Sequence, residues 1–156
     1  MKQLTKFSFL FLTIALAFSA CKVDNYADWK ILNDNAYTAE AAKTDFTKTE
    51  SGLYYKISYP GNMKQANIES YVTVKYTVKL ITGKVIDSGT FYGTLVSSSY
   101  GSGTIKAWQE AIPLLKVGGV MDMFFSYDLG YGSTASGSVP AYSMLYYSVE
   151  LLDAQN

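Results

Sequence analysis

The 156-residue sequence predicts an α+β domain in which an antiparallel, curved sheet of five to six strands wraps one short helix. Three observations predict it. Val72, Val74, Tyr76, Val78 and Leu80 alternate with Thr73, Lys75, Thr77 and Lys79, the period-two pattern of a strand with one buried face. Clear helical spacing appears once, where Ile105, Trp108, Ile112 and Leu115 share a face. Beyond Ser51 the remaining apolar runs are short and are separated by Gly, Ser, Asn and Pro, as strands joined by turns would be.

Lys2 and Lys6 precede an uncharged apolar run from Phe7 to Phe18, followed by the small residues Ser19 and Ala20 and the single cysteine, Cys21. Residues 1–20 read as a secretory signal peptide. The run is shorter than the ~20 apolar residues that a membrane span needs. Cys21 sits where a bacterial lipoprotein is acylated and becomes the mature N-terminus. Ordinary cleavage after Ser19 is the competing reading, because Ala17-Phe18-Ser19 also fits a small-residue site. On the lipoprotein reading, more than one acyl chain holds the protein to the cell envelope. Lys22 is not a retention signal of the Asp kind, which points to the outer membrane, facing the periplasm or the surface. A lone cysteine allows no intrachain disulfide.

Residues 21–50 read as a lipid-anchored tether and N-terminal segment. Lys22 to Asn35 is polar, and Trp29, Ile31 and Leu32 either dock on the domain or begin a short helix. Ala36 to Lys48 is rich in Ala and Thr and weakly helical. The domain itself is expected over 51–156. Its first strand, Leu53 to Tyr59, is stopped by Pro60-Gly61-Asn62. The alternating strand Val72 to Leu80 turns at Thr82-Gly83-Lys84, and Phe91 to Val96 forms another. Pro113 ends the helix that Ile105 opens. Met121, Met123, Phe125 and Tyr127 line one face of the next strand; Leu145, Tyr147, Val149 and Leu151 line one face of the last. Ser97 to Gly103 and Gly130 to Gly137 are Gly/Ser-rich loops, the second long enough to act as a flap over a site.

Charge narrows the function. Thirteen lysines face 13 acids, with no arginine and no histidine. This balance argues against nucleic acid as a partner, which demands a basic face. The usual triad base, the usual zinc ligand and the bidentate phosphate clamp are all missing.

Read in order, Val72-Thr-Val-Lys-Tyr76-Thr-Val, Gly83-Lys-Val-Ile-Asp87-Ser, Gly103-Thr-Ile105-Lys-Ala-Trp108-Gln-Glu-Ala-Ile112, Tyr127-Asp-Leu-Gly-Tyr131-Gly, Val139-Pro140 and Leu145-Tyr-Tyr147-Ser-Val-Glu-Leu-Leu152 resemble the FKBP-type peptidyl-prolyl isomerases. The resemblance runs from about Ser51 to Leu152. It implies an FKBP-like fold, action on proline-containing polypeptides, and no need of a metal or cofactor. It also implies roles. Trp108 is the pocket floor, and Tyr76 and Tyr147 are walls. Ile105 offers a backbone donor to the ligand. Asp87 is a buried carboxylate positioned by a neighbouring hydroxyl, that of Tyr76. Tyr131 is the flap tyrosine whose hydroxyl reaches the substrate carbonyl. Ile86 and Val139 border the bound peptide.

The sequence departs from the family pattern at several positions. Val78 stands for a glycine, Ile86 for an aromatic wall, Ala107 for a glycine, and Tyr127 and Ala141 for prolines. Ile86 thins the aromatic basin. Ile86 and the missing flap prolines favour an alternative: a catalytically weak peptide-binding or chaperone module of the same fold on a lipoprotein. A third reading is a lipoprotein that keeps only the scaffold. Taken singly, Tyr76, Trp108 and Tyr147 are ordinary core aromatics, Asp87 is a turn residue and Tyr131 an exposed loop aromatic.

Overall fold

Residues 26–43, 45–96 and 103–155 are described by the computed structural model. Residues 1–20, read as a signal peptide, the expected acylation site Cys21 and most of the loop from Ser97 to Gly103 lie outside them. Among the described residues the chain forms α1 (Ala27–Ala41), β1 (Thr47–Lys48), β2 (Tyr54–Tyr59), β3 (Tyr71–Lys79), β4 (Val85–Thr94), α2 (Lys106–Ala111), β5 (Val120–Phe125) and β6 (Leu145–Gln155). The strands make one six-stranded sheet in the order β1-β2-β5-β6-β3-β4, and every neighbouring pair is antiparallel.

The alternation of β3 organises this sheet. Val72, Val74 and Val78 are buried on the concave face, while Tyr71, Lys75 and Lys79 are exposed. Met121, Met123 and Phe125 of β5 and Leu145, Tyr147, Val149 and Leu151 of β6 belong to the same core. A register shift opposite Thr73 and Val74 lets β6 change face. Leu151 and Ala154 are both buried although they differ in parity, and Leu152 between them points outward. The short helix α2 closes this core with Ala107, Trp108 and Ala111, followed by Ile112 and Leu115.

Several elements differ from the sequence expectation. The α-helix does end ahead of Pro113, at Ala111, but the chain goes on winding. Pro113 sits in the first turn of a 3-10 segment, Ile112–Leu114, where its missing N–H costs nothing. Tyr127 is not on β5. That strand ends at Phe125, and Ser126 caps a 3-10 turn, Tyr127–Leu129, by accepting from the Asp128 amide. β4 begins at Val85 rather than Phe91, and the two-residue β1 was not foreseen.

At α1 the sequence left docking or a short helix open around Trp29, and the structure shows both. Part of the segment read as a tether is a 15-residue helix docked on the domain. The Met144 amide donates to Asn33 Oδ1 (2.8 Å), Trp29 Nε1 donates to Ser143 Oγ (3.0 Å) and the Tyr37 hydroxyl donates to the Gly52 carbonyl (2.7 Å). Beneath α1, on the other face of the sheet, Tyr54, Phe124 and Met144 form a second buried cluster, with Ala36, Tyr37 and Ala41 packed on it. Tyr54 and Phe124 stack at 4.7 Å. Trp29 packs against the main core, whereas Ile31 and Leu32 remain exposed.

Candidate active site

Strand register builds the site. Directly opposed residues share a face. Tyr76 on β3 therefore faces the core beside Gly89 of β4, Val74 beside Phe91, and Val78 beside both Asp87 of β4 and Tyr147 of β6. α2 crosses this face with Trp108 in its first turns, only 5% exposed. Three rings meet the indole edge-on: Tyr76 at 5.5 Å, Phe91 at 5.6 Å and Tyr147 at 5.7 Å. Edge-to-face packing matches the positive rim of one ring to the negative face of the next. The indole Nε1 has no hydrogen-bond partner among the described residues.

An open cavity of about 470 Å³ lies over this aromatic floor, lined by Tyr76, Asp87, Phe91, Gly103, Thr104, Ile105, Lys106, Trp108, Gly130, Tyr131 and Tyr147. The Tyr76 hydroxyl donates to Asp87 Oδ2 at 2.8 Å. Burial, and then this bond to the carboxylate, pushes the Tyr76 hydroxyl up to about 12. Burial first, then the neighbouring Tyr131 hydroxyl, pushes Tyr147 far above the ordinary tyrosine range. Both rings present neutral hydroxyls at any physiological pH. Ile105 caps α2 in an extended conformation, and its carbonyl accepts from the Trp108 and Gln109 amides. Its own amide donates to no acceptor among the described residues.

Five predicted residues, Tyr76, Asp87, Trp108, Tyr131 and Tyr147, together with Ile105, line this one cavity. Ile86 and Val139 do not. They line an adjoining hollow of about 360 Å³ under the flap, with Ser136, Gly137 and Ser138, and share Asp87, Tyr131 and Tyr147 with the main cavity. Ile86 is displaced because it is the extra residue of a bulge: Val78 pairs with Asp87, but Lys79 pairs with Val85. The expectation of a buried carboxylate is corrected. Asp87 is exposed, because β4 is the sheet's outer strand and leaves its side chain at the mouth of the pocket. Tyr131 is 38% exposed at the same rim.

Phe91 was missed. The signal was present in the alternation Asp87, Gly89, Phe91, Gly93, which puts all four on the concave face opposite Val78, Tyr76, Val74 and Val72. Gly93 leaves the space that the Phe91 ring fills, since a Cβ there would come within 2.7 Å of Phe91 Cζ. Among the described residues no group of three or more His, Cys, Asp or Glu side chains could hold a metal ion.

Comparison with known proteins bears on this site as a whole. Residues 62–152, which contain every pocket residue, match the family model of the FKBP-type peptidyl-prolyl cis-trans isomerases. A probable FKBP-type peptidyl-prolyl cis-trans isomerase of Haemophilus influenzae is 36% identical over 140 residues, covering 88% of this chain and 58% of that protein. The FKBP-type 22 kDa peptidyl-prolyl cis-trans isomerase of Escherichia coli is 35% identical over 119 residues, covering 75% and 57%. The chain thus spans rather more than half the length of these relatives. The crystal structure of FkpA from Escherichia coli superposes with a TM-score of 0.74 at 25% identity, covering 85% of this chain and 62% of that one. The family model matches residues 62–152, which carry the whole tryptophan-floored pocket and four of the six strands, and this makes the chain a member of the FKBP-type peptidyl-prolyl cis-trans isomerase family.

Proposed function

We propose that the chain is a peptidyl-prolyl cis-trans isomerase that assists protein folding outside the cytoplasm, held to the outer membrane by acyl chains on Cys21. The observation that carries the catalytic reading is the buried Trp108 ringed edge-on by Tyr76, Phe91 and Tyr147 under an open apolar hollow.

The chemistry needs nothing more than such a surface. A prolyl amide resists rotation by ~18–20 kcal/mol because resonance keeps it planar. Twisting it breaks the resonance, so the twisted amide is less polar than the planar one. A dry aromatic pocket then disfavours the planar ground state more than the twisted state, and the difference lowers the barrier. In this proposal the proline ring lies on Trp108 between Tyr76, Phe91 and Tyr147. The Ile105 amide and the Tyr131 hydroxyl donate to the substrate's carbonyl oxygens. Asp87, holding the Tyr76 hydroxyl, fixes the pocket wall. No bond to the protein forms and no proton moves.

A second reading is favoured by one observation. The carboxylate is exposed and Ile86 lies under the flap instead of walling the pocket, so the basin is open on the β4 side. That arrangement suits a peptide-binding or chaperone module with slow catalysis. Prolyl isomerisation measured without a coupling protease on X-Pro peptides decides between them, using the chain from Asn25 onward, which keeps α1. Acceleration above background that is lost in folded Tyr131→Phe/Asp87→Ala supports the enzyme. No acceleration by a folded protein rejects it, and peptide titration then tests the module.

A further inference from the structure

We infer that α1 is the clamp of the flap: Trp29, Lys30 and Asn33 are positioning residues that hold both of its feet and so set Tyr131 and Val139 over the pocket. The flap leaves the sheet at Phe125 and re-enters it at Leu145. Its outgoing foot is the turn Tyr127–Leu129, and its returning foot runs from Pro140 to Met144. One face of α1, carrying residues one turn apart, touches both.

Three contacts make the clamp. Lys30 Nζ lies 5.2 Å from the Tyr127 ring and 5.9 Å from the Tyr142 ring. Those two rings, one from each foot, meet edge-on at 5.2 Å. The ammonium, also paired with Asp34, therefore binds the feet to each other as well as to the helix. Trp29 Nε1 donates to Ser143 Oγ, and that hydroxyl donates on to the Pro140 carbonyl at 2.7 Å, fixing the returning strand just after Val139. Asn33, 1% exposed, uses both halves of its amide: Nδ2 donates to the Trp29 carbonyl and Oδ1 accepts from the Met144 amide.

The backbone between these contacts is the part most in need of them. Tyr142 has φ +59°, the non-glycine residue in the left-handed region among the described residues. Such a conformation persists only where the surroundings over-determine it. Its amide donates to the Gly132 carbonyl, and the Gly132 amide donates to the Tyr127 carbonyl, so the strained residue ties the two feet next to Tyr131. A buried asparagine is also an expensive way to seat a helix on an apolar face. Its placement is explained if its work is to fix the Met144 amide, where the flap rejoins the sheet. Gly130 and Tyr131 line the main cavity and Val139 the adjoining one, so movement of either foot changes the pocket.

The catalytic consequence rests on the isomerase reading; the clamp itself does not. Hydrogen exchange of the full chain, compared with Asn33→Ala and with the Trp29→Phe/Lys30→Met pair, tests it. Amides from Gly130 to Met144 are expected to exchange about tenfold faster in the variants, while core amides such as Val74 and Val149 keep their rates. Peptide KM is expected to rise several-fold in the same variants, with little change in denaturation midpoint for the Trp29→Phe/Lys30→Met pair. Unchanged flap exchange in a folded variant, or equal acceleration everywhere, overturns the clamp. Should Asn33→Ala fail to fold, the double variant keeps the ring and the aliphatic stem and gives the same readings. A wild-type chain with no isomerase activity sinks the isomerase reading, and the exchange data still judge the clamp.

Discussion

The Tyr76 hydroxyl is held neutral by two effects that act in the same direction. Burial penalises the phenolate, and the carboxylate of Asp87 accepts the proton's hydrogen bond and would repel a second negative charge. An ordinary tyrosine in the unfolded chain loses its proton near pH 10, and in the fold Tyr76 holds it to about 12. Between these values unfolding releases a proton, so stability falls as pH rises. The contribution of Tyr76 is therefore complete below about pH 10 and lost through about pH 12. Denaturation midpoints measured from pH 7 to pH 12 should be flatter above pH 10 in Tyr76→Phe than in the wild type; identical profiles would contradict the assignment. With no histidine in the chain, the isomerisation rate should also be flat from pH 6 to pH 8.5. Ile86 gives a second prediction. It borders the hollow under the flap, which has room for a larger ring. Ile86→Phe should raise kcat/KM roughly fivefold, the equivalent of one added aromatic contact of about 1 kcal/mol. A fall would mean that the larger ring blocks the flap. Strand and helix spacing alone put Tyr76, Trp108 and Tyr147 on inward faces, and only the resemblance to the family gave them pocket roles. The exposure of Asp87 was not, because it depends on β4 lying outermost and on the bulge at Ile86.

β4 shows why whole elements are read unevenly. Its second half announces itself with Phe91 and Tyr92, but its first half puts Asp87 and Gly89 at the inward positions, so no apolar alternation marks it. Only the pairing with β3 fixes that stretch as strand. The inward glycines are functional in shape: Gly89 lies opposite Tyr76, and Gly93 makes room for Phe91. Gly93→Val should push the Phe91 ring off Trp108. The expected outcome is about 1–3 kcal/mol of lost stability from overpacking and about a tenfold lower kcat/KM, followed by denaturation and by the emission of Trp108 in a Trp29→Phe background. Unchanged emission with normal activity would show that the ring has another place to go. α1 was legible only in part, for the opposite reason. Its inward positions at helical spacing hold Trp29, Asn33, Tyr37 and Ala41, while the aliphatic pair Ile31 and Leu32 points outward. A helix seated through an asparagine and two aromatic hydrogen-bond donors carries little apolar periodicity, so the segment reads as a polar tether with only weak helical character.

At the scale of the molecule, the proposed acyl anchor on Cys21 and the proposed docking of α1 on the flap together imply a short arm between membrane and pocket. Only residues 22–26 separate Cys21 from the start of α1 at Ala27. Fully extended, five residues reach at most about 18 Å. Under the proposed acyl anchor, the N-terminal turn of α1 and the flap feet it holds therefore stay close to the bilayer, where Ile31 and Leu32 remain exposed for contact with it. A short peptide would still enter the pocket freely. A large unfolded chain would have to approach through a narrow gap, and its isomerisation should be slower on the membrane than in solution. Coupling Cys21 to a lipid in vesicles, and comparing a prolyl tetrapeptide with a slow-refolding protein whose rate is limited by proline, measures this. The tetrapeptide rate should be the same for anchored and free protein, and the refolding rate several-fold lower when anchored. Inserting a Gly/Ser linker of about 20 residues after Lys22, with an r.m.s. reach of about 25 Å, should restore most of that difference. Equal refolding rates with and without the linker would mean that the flap faces away from the bilayer, and that α1 sets the pocket's shape without setting its access.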